Sequence, residues 1–194
     1  MKKLFLSFTF LTLITVSSLA QLEKGSYIGG VYGNFSIMGR SSGTQYLSWG
    51  FNPYAMCLVG NNLAIGMDMD NRFTYFKSTY QDGSGNYSML GSSYNLQLAP
   101  IVRKYFGNGQ VRPYAGLSIG VIMEHMHNYS SFETQTTTET GFSYHLAPQV
   151  GVSWWINDKV FLDLKASYNL MDTYFGSGYH TFDVKIGAGF RIGR

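Results

Sequence analysis

Three small groups of residues invite a chemical reading before anything is known of the fold. His125 and His127 flank Met126 beside Glu124. Imidazole and carboxylate are donor types that hold zinc, but a centre needs further donors converging in suitable geometry. The two histidines therefore read as a rim where a strand runs into a loop. Ser143 and His145 share one side of an extended segment, with Glu139 just before them. Nucleophile, base and acid are present in kind, yet closeness in sequence makes no nucleophile–base hydrogen bond. Asp68-x-Asp70 lacks the further ligands of a calcium loop. Its carboxylates fit better as partners of enclosed cations. No cofactor, metal or catalytic residue is expected from these groups.

The elements that position these residues are strands. From Thr181 to Ile192, Phe182, Val184, Ile186, Ala188, Phe190 and Ile192 alternate with Thr181, Asp183, Lys185, Gly187, Gly189 and Arg191. Period-two alternation marks a β-strand with one apolar and one polar face. Seven earlier stretches carry the same pattern: Ser26–Ile37, Gln45–Val59, Leu63–Phe76, Leu90–Phe106, Val111–His125, Gly141–Ile156 and Val160–Asp172. Helical periodicity is absent between them. Short connections at Gly60–Asn62, Gly107–Gln110 and Asn157–Lys159 alternate with long polar ones at Met38–Thr44, Lys77–Met89, His127–Thr140 and Thr173–His180. That alternation belongs to barrels that cross a membrane.

Composition agrees. Residues 1–20 read as a cleaved secretory leader, with Lys2 and Lys3 ahead of an apolar run and Ser18-Leu19-Ala20 before Gln21. Without Lys2 and Lys3, twelve basic residues face eleven acidic ones, so no electrostatic footprint for nucleic acid exists. Charged residues are 13% of the chain, against roughly a quarter in soluble domains. Aromatics reach 16% and no second apolar run is long enough for a helical span. The lone Cys57 permits no internal disulfide and reads as a small packing residue on an apolar face. The expected fold is an all-β, eight-stranded antiparallel up-and-down transmembrane barrel over residues 21–194.

Directly paired antiparallel residues must share a side. Val59 with Leu63, Phe106 with Val111 and Ile156 with Val160 all match apolar to apolar across ordinary turn lengths. Pro53, Pro100, Pro113 and Pro148 each interrupt a strand and call for bulges or poorly paired positions near the rims.

The polar faces collect Asp68, Asp70, Glu124, Asp163 and Asp183 with Arg72, Arg103, Arg112, Lys165, Lys185 and Arg191. On the lipid side at mid-bilayer each Arg or Lys would cost about 2–4 kcal/mol. Inside a barrel they can pair. Eight strands leave an interior that side chains just fill, so a salt-bridged interior is expected, with Asp163 opposite Arg191. Interfacial girdles are expected from Tyr27, Tyr105, Phe106, Trp154, Trp155, Phe161 and Phe190 at the short-turn end. Trp49, Tyr75, Phe142, Tyr144, Tyr168 and Phe182 form the loop-side set. Lys104 would reach the interface from the apolar face, and Asn71 is that face's exception.

Tyr94–Tyr114 (YNLQLAPIVRKYFGNGQVRPY), His145–Phe161 (HLAPQVGVSWWINDKVF) and the closing GAGFRIGR carry a family likeness. Through them the whole mature chain resembles the outer-membrane β-barrel domain family, the small OmpA/OmpX-like barrels of diderm bacteria. The resemblance implies export to the outer membrane and contact with its lipids. It implies insertion by barrel-assembly machinery, although the chain ends Phe190-Arg191-Ile192-Gly193-Arg194 rather than on an aromatic. No peptidoglycan-binding domain follows. A structural or surface-interaction role is expected, with a surface ligand held by the outer loops and a monomeric state. The alternatives are a narrow porin-like channel and, third, a lipid-modifying enzyme at Ser143/His145 or His125/His127.

Overall fold

A computed structural model describes residues 22, 24–39, 44–82, 85–130, 135–173 and 176–193. The expected leader lies outside the described residues. Eight strands run in chain order: β1 Tyr27–Gly39, β2 Thr44–Gly60, β3 Leu63–Asp82, β4 Gly85–Tyr105, β5 Val111–Ser130, β6 Gln135–Trp155, β7 Val160–Thr173 and β8 Gly176–Ile192. Each pairs antiparallel with the next, and β1 with β8 closes the ring. The up-and-down barrel is thus the observed architecture.

Alternation puts one side chain in two outside. Val31, Trp49, Ile65, Val121, Val150, Leu164 and Ile186 are exposed on the wall, and the ionic residues of neighbouring positions are not. The loop-side aromatics Trp49, Tyr75, Phe142, Tyr144, Tyr168 and Phe182 all lie outside, as do Tyr27, Phe106, Trp154 and Phe190 at the other end. Tyr105, Trp155 and Phe161 do not: all three are buried in the interior. Their parity explains the correction, because Tyr105 shares a side with Arg103, Trp155 with Ser153 and Phe161 with Asp163. With Leu22, Ile28, Met56, Leu58 and Ile101 they build an apolar floor at the short-turn end.

Two registers depart from expectation. At the β2–β3 turn Gly60, not Val59, pairs with Leu63 across a bulge, while Cys57 opposite Ile65 keeps the expected line. The turn closes on Asn62 at φ 62°, a left-handed conformation that asparagine tolerates. Between β4 and β5 the ladder ends at Tyr105 opposite Tyr114, so Phe106 is not across from Val111. The slip is two residues, which preserves every face. Phe106 instead donates its N–H to the Pro113 carbonyl at 2.8 Å. The β6–β7 register is the expected one, with Trp155 opposite Phe161 and Ile156 bonded to Val160.

Three of the four prolines sit in mid-strand ladder gaps rather than in bulges or at the rims, and Pro113, paired with Val152, stands just past the last β4–β5 pair. The β2–β3 ladder skips Asn52 and Pro53, resuming from Phe51–Asn71 at Tyr54–Asp68 without a shift. Pro100 sits in a like gap against β5 and Pro148 in one against β7. The stretches expected as long loops are also mostly strand, since β3 to β6 run through much of Lys77–Met89 and His127–Thr140. Backbone pairing continues there after the apolar alternation has stopped.

Inward glycines make the interior fit. Gly30 pairs with Tyr54, Gly151 with Tyr114, Gly187 with Tyr32 and Gly189 with Phe161, each ring lying over the glycine across the ladder. A Cβ at Gly151 would meet the Tyr114 ring and the Leu164 carbonyl, whereas one at the outward Gly33 meets nothing within 4 Å. Gly151→Val should lose most of the folded band on unboiled electrophoresis after refolding into vesicles, and Gly33→Val should keep it.

Candidate functional site in the barrel interior

The lower polar layer is organised by Arg103, which is wholly buried. Its Nη1 donates to Asp163 Oδ2 at 3.2 Å and Tyr105 Oη at 3.3 Å; its Nη2 donates to Tyr32 Oη at 3.0 Å and Gln149 Oε1 at 3.5 Å. The guanidinium also lies 4.1 Å from the Tyr114 ring centre and 5.2 Å from that of Tyr54. Asp163 accepts from Tyr32 Oη on one oxygen and from Ser153 Oγ at 3.3 Å on the other. Arg191 is not its partner: Arg191 pairs with Ile28 on β1, and Asp163 stands opposite Gly187. The closing strand is offset from a symmetric hairpin, so the expected Asp163–Arg191 contact is lost and Asp163 reaches across the lumen to β4.

Above it, successive inward residues of β3 form a ladder. Lys165 Nζ bonds Asp68 Oδ2 at 3.0 Å, Lys185 Nζ bonds Asp70 Oδ2, and Arg72 Nη2 bonds Asp183 Oδ2 at 2.9 Å. Lys165 and Lys185 are direct cross-strand partners, an arrangement of like charges that is unfavourable alone. Asp68 and Asp70 on the opposing wall neutralise them one for one. Asp183 also accepts from Asn169 Nδ2 at 3.0 Å.

Eight of the eleven expected interior charges therefore meet in these two layers. Arg112 lies at the short-turn end over the Trp155 ring at 4.7 Å and donates Nε to the Gly109 carbonyl, with Arg191 6.0 Å from the same ring. Glu124 is half-buried at the loop end, and none of the described cations pairs with it.

The metal and nucleophile readings separate in space. His125 and His127 face outward, and their Nδ1 atoms lie 2.9 and 3.0 Å from Thr140 Oγ1 and Thr138 Oγ1. Glu124 faces inward. Ser143 and His145 both face the lumen, but His145 Nε2 lies 3.2 Å from Ser118 Oγ. Asn71, the apolar face's exception, accepts from Tyr94 Oη at 3.1 Å on the outside, beside the Trp49–Phe73–Tyr94 ring stack. Lys104 extends to the Asn61 carbonyl at 3.0 Å in the adjoining turn. Alternation already sets Tyr32, Tyr54, Tyr114, Gln149 and Ser153 on the polar faces of their strands, but their convergence on Arg103 and Asp163 was not legible in the sequence, and Tyr105 was expected at the interface instead. Parity with Arg103 was the available signal for Tyr105.

Residues 6–191 match the outer membrane protein beta-barrel domain. The chain belongs to that family. No curated protein sequence matches it. Among solved structures it is similar to the outer membrane protein OprG from Pseudomonas aeruginosa, at 14% identity, 91% of this chain, 100% of that chain and a TM-score of 0.55. It is similar to a major outer membrane protein from Thermus thermophilus, at 12% identity, 86% and 99% coverage and a TM-score of 0.52. Ail, the attachment invasion locus protein of Yersinia pestis, aligns at 16% identity, 88% and 100% coverage and a TM-score of 0.45. Family and fold together make this an outer-membrane barrel, whose exposed apolar wall faces lipid.

Removing one partner of a buried pair strands the other, at about 3–5 kcal/mol. Arg103→Met should lower unfolding stability in vesicles by about that amount, with part regained in Arg103→Met/Asp163→Leu. Arg72→Met, at the more open end of the ladder, should cost only about 1 kcal/mol. Urea titrations followed by tryptophan emission measure all three.

Proposed function

We propose that this protein is a monomeric, non-catalytic outer-membrane anchor with an ion-paired, non-conducting lumen, acting through the strands and loops it raises beyond the membrane. The observation that carries this reading is the wholly buried Arg103 layer, to which β1, β2, β4, β5, β6 and β7 all contribute. A crossing strand needs about 9–11 residues. β3 to β6 have 20 or 21 each, so about half of each is available for display. Thr136, Thr137, Thr138, Glu139 and Thr140 are exposed on both faces of β6, which suits an interaction surface for a ligand outside the cell. Export uses the leader 1–20, cleaved before Gln21, followed by insertion through barrel-assembly machinery.

In planar bilayers the purified protein should give no reproducible open level. A stable conductance that changes on neutralising Lys165 or Asp163 would replace the anchor with a channel. Intact mass of the protein from outer membranes should correspond to a chain beginning at Gln21.

A further inference from the structure

Two cations and an indole meet at the short-turn end, which is the periplasmic end of such a barrel. Trp155 on β6 lies opposite Phe161 on β7, whose own partner on β8, Gly189, stands two residues before Arg191. On the other side of Trp155, β5 brings Arg112. The guanidinium carbons of Arg112 and Arg191 lie 4.7 and 6.0 Å from the centre of the Trp155 ring. The neighbouring turns hold both in place. Arg112 Nε donates to the Gly109 carbonyl at 2.9 Å, and the Arg191 backbone N–H donates to the Lys159 carbonyl at 2.7 Å.

Acceptors are what this corner lacks. Trp155 is only 3% exposed, yet its Nε1–H has no acceptor. The enclosed Nε–H of half-buried Arg191 has none either. Buried donors without acceptors are rare and call for a group that supplies one. The lumen cannot supply it, since Asp163 is committed to Arg103 and Asp68, Asp70 and Asp183 to the ladder. Asp158, in the β6–β7 turn, is turned to solvent, and Arg191 forms an ion pair with none of the described carboxylates. Water would meet the N–H groups but not the permanent charge of Arg191. An anion meets both.

We propose that this periplasmic rim binds a carboxylate. One of its oxygens accepts from Trp155 Nε1–H and the other from the Arg191 guanidinium, with the charge of Arg112 adjoining. The planar fork of a guanidinium and the in-plane N–H of an indole match the two oxygens of one flat group. The carboxylate belongs to a free small acid or to an acidic side chain of a periplasmic protein, and the chemistry at the rim is the same. The site lies below the Arg103 layer, so it stands whether or not the lumen conducts and whatever the outer loops bind.

The test uses the full-length mature protein in dodecyl maltoside micelles. It carries Trp49→Phe and Trp154→Phe, both on the outer wall, which leave Trp155 as the one indole. Sodium acetate and, separately, sodium chloride are titrated while NMR follows the indole N–H. Acetate should give a saturable downfield shift, with magnetisation transfer from its methyl group to the indole proton. Arg191→Gln should weaken binding about ten-fold or more and leave the amides of β2 to β4 in place. No saturable shift, the same shift with chloride, or equal affinity in Arg191→Gln would overturn the site. Should that variant fail to refold, absence of methyl-to-indole transfer with Arg191 in place would overturn it alone. Inorganic phosphate binding more tightly than acetate would overturn the carboxylate. The blocked peptide acetyl-Gly-Glu-Gly-amide separates the sources. Affinity equal to acetate's supports an acidic side chain of a partner, and its exclusion while acetate binds supports a free acid.

Discussion

A guanidinium does not give up its proton at any physiological pH. Once Arg103 is placed where water cannot reach, its donors must be met by the protein itself. Tyr32, Tyr105, Gln149 and Asp163 meet those of Nη1 and Nη2 from four different strands, Nε alone being left without a partner, and the rings of Tyr54 and Tyr114 cover the ion's faces. A strand slipped by one residue would turn its share of this shell out into lipid. One buried charge thereby couples the registers of most of the barrel.

Volume is the second constraint. The lumen of an eight-stranded barrel has room for its own side chains and little else. Glycine opposite an aromatic ring, as at Gly151 and Tyr114 or Gly187 and Tyr32, lets a large side chain lie across the backbone of the next strand. The ionic ladder solves a related problem. Lys165 and Lys185 repel as neighbours, and alternate residues of β3 bring Asp68 and Asp70 to them from the far wall. The charges are thus arranged in matched layers, with aromatic packing beneath.

The wall is less uniform than the lumen. Pro53, Pro100 and Pro148 remove donors at mid-strand, and each ladder answers with a short gap that keeps its register. The continuous bonding on either side of each gap holds the line. Between β1 and β8 the ladder of the described residues stops after Gly33–Ile186, although both strands go on.

Alternation in sequence was enough to assign strand number, sheet class, faces and the set of charges kept from lipid, since side-chain direction in a strand has a strict period of two. Local chemistry also sufficed for the Ile156–Val160 turn and the outward loop-side girdle. What it left open was every contact across the lumen. Asp163 finds Arg103 rather than Arg191, and Tyr105, Trp155 and Phe161 pack inside rather than at an interface. His145 approaches Ser118 rather than Ser143. Those partners come from strands far apart in the chain, and the stagger with which eight strands close into a ring decides which of them share a level. Periodicity along one strand carries no information about that stagger; it is set only when the last strand meets the first.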